Sequence, residues 1–178
     1  MRPQLPIEVD EKSGVWTTDG LPMLYVPRHF FVNNHVAIEA ALGREAYAAL
    51  LFKAGYKSAY FWCDEASKTH GLTGIAVFVH YLTRLSLRGW GIFSFVRSAP
   101  IAGEAEIRLD HSAFVLAQPG MSGRICYMFS GWFAGAMDWV TGGAGGRHSS
   151  KCHEEQCQAE GHAHCVFAVR PDMSAPNS

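Results

Sequence analysis

The fold is decided by residues 154–165, which read EEQCQAEGHAHC. Within this stretch Glu154, Cys157 and Cys165 form a Glu-x-x-Cys-x7-Cys motif, and Cys126 precedes it in an apolar segment. Zinc accepts thiolates and carboxylates, and a structural zinc site takes four ligands in a closed tetrahedron. The glycine inside the stretch allows a turn that brings the two motif cysteines together. The pattern predicts a structural zinc ion bound by Cys126, Glu154, Cys157 and Cys165.

Other donors in the same region leave the ligand set open. Cys152 could take the place of Cys126, and a histidine could replace Glu154, namely His148, His153, His162 or His164. The cysteines could also be reduced thiols that are buried for packing alone. Four protein ligands would make the metal structural, whereas three ligands and a water would make it a Lewis acid.

Composition excludes several classes of partner. The chain has 178 residues, of which 48% are hydrophobic, so it can bury the core of one domain. Its 15 basic and 16 acidic residues and its pI near 6.7 create no field that would attract nucleic acid or anionic membranes. The most apolar stretch, residues 74–96, is interrupted by His80, Arg84 and Arg88, and residues 1–14 lack the core of a secretory signal. Five cysteines, three of them crowded between residues 152 and 165, suit a reducing compartment. We therefore expect a cytoplasmic protein without a membrane segment.

The order of the predicted elements indicates an α+β fold. Apolar spacing predicts a helix over residues 44–70 and a second helix from residue 73 to about residue 88. Strands are predicted over residues 92–97 and 104–110, and on both sides of the glycine turn in the cysteine motif. Helices grouped before strands favour helices packed on an antiparallel sheet.

An almost wholly apolar helix is predicted over residues 123–140, and it would carry Cys126. Gly131 and Gly135 lie one helical turn apart, a spacing that lets another backbone approach closely. For the chain as a whole we expect an N-terminal arm (1–20), a single domain (21–170) and a loose tail (171–178).

These motifs resemble those of the 4-vinyl reductase domain. The similarity rests on the segment FSGWFAG at residues 129–135, on the cysteine motif followed by Phe167, and on AGYKS at residues 54–58, and it runs from about residue 44 to residue 169. The family is similar in fold to the ligand-binding modules of aromatic-sensing bacterial activators, and more remotely to NO-binding and Golgi-transport domains. The resemblance implies a domain with helices packed on an antiparallel sheet, and it implies that two such domains form a dimer. It also implies a zinc ion on the same four residues that supports a pocket and performs no chemistry.

The resemblance also points to a pocket. The segment VHYL at residues 79–82 is similar to the helix whose histidine contacts the phenol hydroxyl in the aromatic-sensing relatives. It implies that His80 is a polar group of the pocket, and we expect Tyr81, Trp90 and Tyr60 nearby. The alternative is that His80 and the aromatic residues belong to an ordinary core.

We expect a stand-alone, non-catalytic binding module for a small apolar or aromatic ligand. No dinucleotide fingerprint or flavin site is recognised in the chain, which argues against a reductase. The alternative is an accessory subunit or an enzyme, reductase-like or metal-assisted, in the catabolism of aromatic compounds or of methylated amines such as dimethylglycine. A homodimer or a place in a larger complex is compatible with both.

Overall fold

The structure is a computed structural model, and it describes residues 5–143 and 149–173. The helices are α1 (Arg28–Leu42), α2 (Arg44–His70), α3 (Ile75–Leu87), α4 (Ala113–Ala117) and α5 (Phe129–Gly143). The strands are β1 (Ile7–Val9), β2 (Trp16–Thr18), β3 (Leu21–Met23), β4 (Ile92–Ala99), β5 (Glu104–Asp110), β6 (Ser150–Gln156) and β7 (Cys165–Pro171). No helix in these two ranges is long and apolar enough to cross a membrane.

The central sheet has four antiparallel strands in the order β4-β5-β7-β6. In β5, Ala105, Ile107 and Leu109 are fully buried, whereas the alternate residues are wholly or partly exposed. Alternation of apolar and charged residues had predicted this strand with one wet face, since successive side chains point to opposite faces of a sheet.

Helix α5 lies between the sheet and α2. Its Phe133 ring is 5.1 Å from the ring of Phe167 on β7. On the opposite side, a Cβ atom at Gly131 would collide with the backbone of Phe52 in α2, so only glycine permits this approach. Gly135 meets the next turn of α2 in the same way. The close approach predicted for both glycines and the α+β architecture of helices on an antiparallel sheet are confirmed.

Residues 7–23 form a separate sheet, which we call the N-terminal sheet, with strands in the order β1-β2-β3. Asp19 and Gly20 connect β2 to β3 with φ angles of 54° and 75°, the backbone of a two-residue hairpin turn. The boundary that we expected after residue 20 lies inside this sheet, between β2 and β3, and the division into arm and domain stays a prediction. The expected tail, residues 171–178, lies mostly outside the described residues, which end at Met173.

The predicted helix over residues 123–140 begins too early, because α5 starts at Phe129. Cys126 therefore lies in the preceding loop and not on the helix. Gly123 has a φ of 89°, which breaks helical geometry, and the Cys126 backbone N–H is bound by the Glu154 carboxylate at 2.9 Å. The chain turns into the helix only at Phe129, whose N–H donates to the Cys126 carbonyl at 3.1 Å.

Candidate functional site

The structure brings Cys126, Glu154, Cys157 and Cys165 together, and one ligand atom of each lies within 4.8 Å of the others. The sulfur of Cys126 is 4.0 Å from that of Cys157 and 3.9 Å from that of Cys165, and the last two are 3.8 Å apart. Zn–S bonds of about 2.3 Å in a tetrahedron place two sulfurs roughly 3.8 Å apart. All four residues are buried. We call them the Cys3Glu cluster, and their spacing is that of a tetrahedral metal site.

Local backbone geometry explains why the last three residues of the cluster converge. The pairing of β6 with β7 shifts its register between Glu154 and Gln156, next to the strand end. A single 3-10 turn, Gln158–Glu160, follows Cys157 and ends at Gly161, whose φ is 92°. This turn reverses the chain, so that Cys165 begins β7 opposite Cys157.

The Glu154 carboxylate has one satisfied and one unsatisfied oxygen. Its Oε2 accepts the hydrogen bond from the Cys126 backbone N–H, whereas Oε1 is buried without a hydrogen-bond partner. Buried polar atoms without partners are rare in folded proteins, and an unmodified acceptor of this kind points to a missing proton or cation. The orphaned oxygen, beside three sulfurs, fits a metal ligand.

Electrostatics in the cluster favours the same conclusion. Burial, together with the Cys157 sulfur, raises the pKa of Glu154 to about 9. Hydrogen bonds from Cys126 and Cys165 hold the pKa of Cys157 well below its ordinary value, while hydrogen bonds to Cys157 and Cys165 raise the pKa of Cys126. The metal-free cluster therefore retains protons that a bound divalent cation would displace.

Neighbouring groups orient the sulfurs. The backbone N–H of Gln158 donates to Cys165 Sγ at 3.3 Å, and that of Ala159 donates to Cys157 Sγ at 3.4 Å. The hydroxyl of Ser112, which is fully buried, lies 3.0 Å from Cys126 Sγ. Outer partners of this kind hold metal ligands in position and stabilise negative charge on sulfur.

The alternative ligands lie elsewhere. Cys152 is buried on β6 but does not belong to the cluster, and His153 and His162 are exposed. His164 is half-buried next to Cys165, and its ring is likewise outside the group of converging ligand atoms. His148 lies outside the described residues.

A cavity of about 380 Å³ lies between the N-terminal sheet, α1, the end of α3 and α4, and we call it the N-terminal cavity. Aromatic and aliphatic side chains form most of its wall. The lining residues are Leu5, Ile7, Trp16, Thr18, Met23, Leu24, Tyr25, Val26, Arg28, Phe31, Val32, Leu87, Arg88, Gly89, Trp90, Ala113 and Phe114. Its size and apolar wall are those of small-molecule sites.

Of the four residues predicted to form a pocket, Trp90 lines the N-terminal cavity, and the other three do not belong to its lining. Tyr81 is buried in the core, with its ring 4.8 Å from that of Trp62, and Tyr60 is 41% exposed on α2. His80 stacks on Trp62 at 5.5 Å, and its buried Nε2 has no hydrogen-bond partner. A ligand role for His80, Tyr81 and Tyr60 stays a prediction.

A polar group that the sequence did not predict lies beside the cavity. Asp19 Oδ1 is 3.0 Å from His70 Nε2 and accepts a hydrogen bond of 2.8 Å from Arg84 Nη2. Arg88 Nη2 is 3.9 Å from the other oxygen, and His80 completes the group of residues around this carboxylate. Two signals were available in the sequence. Asp-Gly is a hairpin dipeptide, and the charged residues that interrupt the apolar stretch 74–96 needed a buried partner.

Sequence comparison places the chain in a family. Residues 1–96, more than half of the chain, match the family model described as Domain of unknown function (DUF5943). The chain belongs to the DUF5943 family. The DUF5943 match includes the N-terminal sheet and α1 to α3 and ends before the Cys3Glu cluster. No curated protein sequence matches this DUF5943 chain.

Three solved structures are similar in fold to this DUF5943 protein. The phenol-responsive sensory domain of the transcription activator PoxR, determined with phenol, has a TM-score of 0.77 at 15% identity, covering 96% of this chain and 87% of that one. A trafficking protein particle complex subunit 3 from Naegleria fowleri, covalently bound to palmitic acid, has a TM-score of 0.57 at 14% identity, covering 82% and 95%. A vinyl-4-reductase family protein from Methanocaldococcus jannaschii has a TM-score of 0.55 at 16% identity, covering 84% of each chain. The resemblance to the 4-vinyl reductase domain is confirmed at the level of fold.

Proposed function

We propose that this protein is a zinc-stabilised, non-catalytic domain that binds a small apolar or aromatic molecule, as a sensor or a carrier. The observation that carries the proposal is the N-terminal cavity, whose wall is mostly apolar and partly aromatic. Such a cavity with few polar groups binds ligands by burying their apolar surface. The PoxR domain of similar fold responds to phenol, which supports a ligand-binding role for this chain.

Zinc is the metal that best suits the Cys3Glu cluster. Three thiolates and one carboxylate at tetrahedral spacing match its preferences, and hard cations such as magnesium prefer six oxygen ligands. Because the four protein ligands fill a tetrahedron, the metal would connect the loop before α5 to the hairpin of β6 and β7. This arrangement stabilises the fold and leaves no position for a substrate, which favours a non-catalytic role.

Metal analysis of the purified protein tests the zinc proposal. We expect one zinc per chain, and loss of most of it in Cys157→Ser and Cys165→Ser, with a lower melting temperature. Cys152→Ser is the matched control, since Cys152 is also buried, on β6, but lies outside the cluster. Protein without zinc, or equal zinc loss in the control, would contradict the assignment.

The binding proposal is tested with N-phenyl-1-naphthylamine, a neutral dye whose fluorescence rises in apolar surroundings. We expect saturable binding that weakens roughly tenfold in Phe31→Ala, because Phe31 lines the cavity. Phe61→Ala is the control, since Phe61 is 57% exposed on α2 and does not line the cavity. Absence of saturable binding, or the same loss in both variants, would reject the cavity as the binding site.

The homodimer implied by the family resemblance belongs to the same proposal. Light scattering at micromolar concentration should then give twice the chain mass of 19.6 kDa. A mass of one chain at that concentration would contradict the homodimer and would leave the zinc and ligand proposals to their own tests.

A further inference from the structure

The charged residues in the wall of the N-terminal cavity are all of one sign. Arg28 and Arg88 line it, and no aspartate or glutamate is among the lining residues of the described chain. Arg28 is exposed, where solvent and salt screen its charge. The Arg88 side chain is only 13% exposed, so its charge acts at close range on whatever occupies the cavity.

Arg88 has too few partners for a buried guanidinium. Its Nε and Nη2 atoms are shielded from solvent and have no hydrogen-bond partner. Its contacts are with the Trp62 ring, 5.7 Å from the guanidinium carbon, and with Asp19, whose carboxylate is 3.9 Å from Nη2. Both are longer than a hydrogen bond, and a buried charge without hydrogen bonds is costly.

Asp19 does not neutralise the charge of Arg88, because its carboxylate already binds Arg84 and His70. Arg84 Nη2 and His70 Nε2 bind the same oxygen at 2.8 and 3.0 Å. Two guanidinium groups therefore share one carboxylate, which leaves an excess of one positive charge beside the cavity. Burial also lowers the pKa of Arg88, as expected where positive charge is poorly compensated.

The two guanidinium groups beside the single Asp19 carboxylate also disfavour a metal ion at that carboxylate. Asp19, His70 and His80 converge closely enough to bind one. However, the guanidinium groups of Arg84 and Arg88 face the only carboxylate of this set, and they would repel a divalent cation. The excess positive charge calls for an anion.

We infer that the N-terminal cavity selects a small aromatic carboxylate, with the carboxylate bound by Arg88 and the ring held against Phe31 and Trp90. Because Nε and Nη2 are shielded from solvent, the carboxylate would approach the guanidinium from the side of Nη1 and form a charge-assisted hydrogen bond there. The rings of Phe31 and Trp90, 5.3 Å apart, are partly exposed and present faces and edges on which another ring packs, whereas Phe114 is fully buried against both. This inference rests on the proposed binding function and adds the charge and chemical class of the ligand.

Three probes of the same shape and different charge test the inference: 4-ethylbenzoate, 4-ethylbenzamide and 4-ethylbenzamidinium. Each is titrated against the wild-type protein with bound N-phenyl-1-naphthylamine, and the concentration that displaces the dye is measured. We expect the benzoate to bind at least about tenfold more tightly than the amide, and the cationic amidinium to bind most weakly. Equal or tighter binding of the amide overturns the inference.

Two variants locate the selectivity. Arg88→Gln removes the charge and should weaken benzoate binding about tenfold to a hundredfold while changing amide binding less than about twofold. Arg97→Gln removes a positive charge from an exposed position on β4 and should leave the order of the three probes intact. A benzoate preference that survives in Arg88→Gln contradicts the assignment of Arg88.

The outcomes separate this inference from the proposed function. If the dye binds and the benzoate does not displace it preferentially, the cavity binds small molecules but does not select carboxylates. If the dye itself does not bind, the binding function fails and the carboxylate assignment fails with it. The comparison of probes on the wild-type protein decides the matter even if Arg88→Gln does not fold.

Discussion

Asp19, in the turn of the N-terminal sheet, accepts a hydrogen bond of 2.8 Å from Arg84 on α3, 65 residues later. Its side chain is 1% exposed, so the pair lies in a region where charges are poorly screened. This contact attaches one wall of the N-terminal cavity to the helical layer.

Asp19→Asn is expected to lower the free energy of unfolding by about 1–3 kcal/mol, because Arg84 and Arg88 then face no carboxylate. Asparagine tolerates the positive φ of 54° at this position, so the substitution isolates the effect of charge. Urea unfolding measures the change. In Asp110→Asn, which breaks a more exposed pair with Arg108, the loss should stay below about 1 kcal/mol; similar losses in both variants would contradict a special role for Asp19.

Gly131→Ala should lower the free energy of unfolding by about 1–3 kcal/mol or prevent folding. The added methyl group would collide with the Phe52 backbone, which cannot move without displacing α2. Gly142→Ala serves as the control on the same helix, because its added carbon meets only the Tyr60 hydroxyl at 3.8 Å. The control should be neutral or stabilising by up to about 1 kcal/mol. Thermal and urea unfolding of both variants would show whether the close helix contact exists.

Tyr56→Phe should cost about 1–2 kcal/mol in unfolding free energy. The Tyr56 hydroxyl donates to Asp138 Oδ2 at 2.6 Å, and the same oxygen accepts from the Ser150 backbone N–H at 3.0 Å. Removing the hydroxyl leaves a buried carboxylate with one partner fewer. Tyr60→Phe, one turn further along α2 and 41% exposed, should change stability by less than about 0.5 kcal/mol. An equal effect of the two substitutions would exclude the proposed role of this hydrogen bond.

Stability should fall as the pH is lowered through about 6.5, the ordinary pKa of histidine. His35 is 3% exposed among the rings of Tyr47, Phe114 and Tyr127, and burial lowers its pKa. The unfolded chain therefore binds more protons than the folded one below that pH, which favours unfolding. His80 contributes with the same sign, since burial also lowers its pKa.

Urea unfolding between pH 8 and pH 5, with excess zinc at each pH, measures this dependence. His35→Gln should reduce the slope of unfolding free energy against pH, and His29→Gln, at an exposed position on the same helix, should keep it. An unchanged slope in His35→Gln would show that the protonation of His35 does not differ between the folded and unfolded states.

Local patterns were sufficient for most of the fold. Helix α2 was predicted with both ends correct, because Gly43 and Gly71 take left-handed or otherwise positive φ angles that end helices. Strand β5 was predicted from the alternation of apolar and charged residues alone, since such alternation indicates a strand with one buried face. The placement of Cys126 was wrong because its conformation depends on the hydrogen bond that its backbone N–H donates to Glu154, 28 residues away, which no local pattern contains.

The Cys3Glu cluster and the N-terminal cavity differ in how much of each could be predicted from the sequence. Three residues of the Cys3Glu cluster lie within one hairpin, so their spacing predicts that they converge. The N-terminal cavity is built from elements between Leu5 and Phe114 that meet only in the folded chain. Trp90 could be suggested because it lies near His80 in the sequence. The Asp-Gly turn and the charged residues of the apolar stretch were visible too, but no local pattern showed that Asp19 and Arg88 meet.

The hydroxyl of Ser112, 3.0 Å from the Cys126 sulfur, belongs to the residue that precedes Ala113 in the cavity wall. The Ala113 backbone N–H in turn donates to the carbonyl of Trp90, another residue of that wall, at 2.9 Å. These contacts offer a route by which occupancy of the proposed zinc site and occupancy of the proposed ligand site would influence each other. Because linkage between binding equilibria is reciprocal, a ligand that lowers the dissociation constant of zinc by some factor would have its own dissociation constant raised by that factor when zinc is removed. A shortage of zinc would then raise the ligand concentration at which the proposed binding site fills.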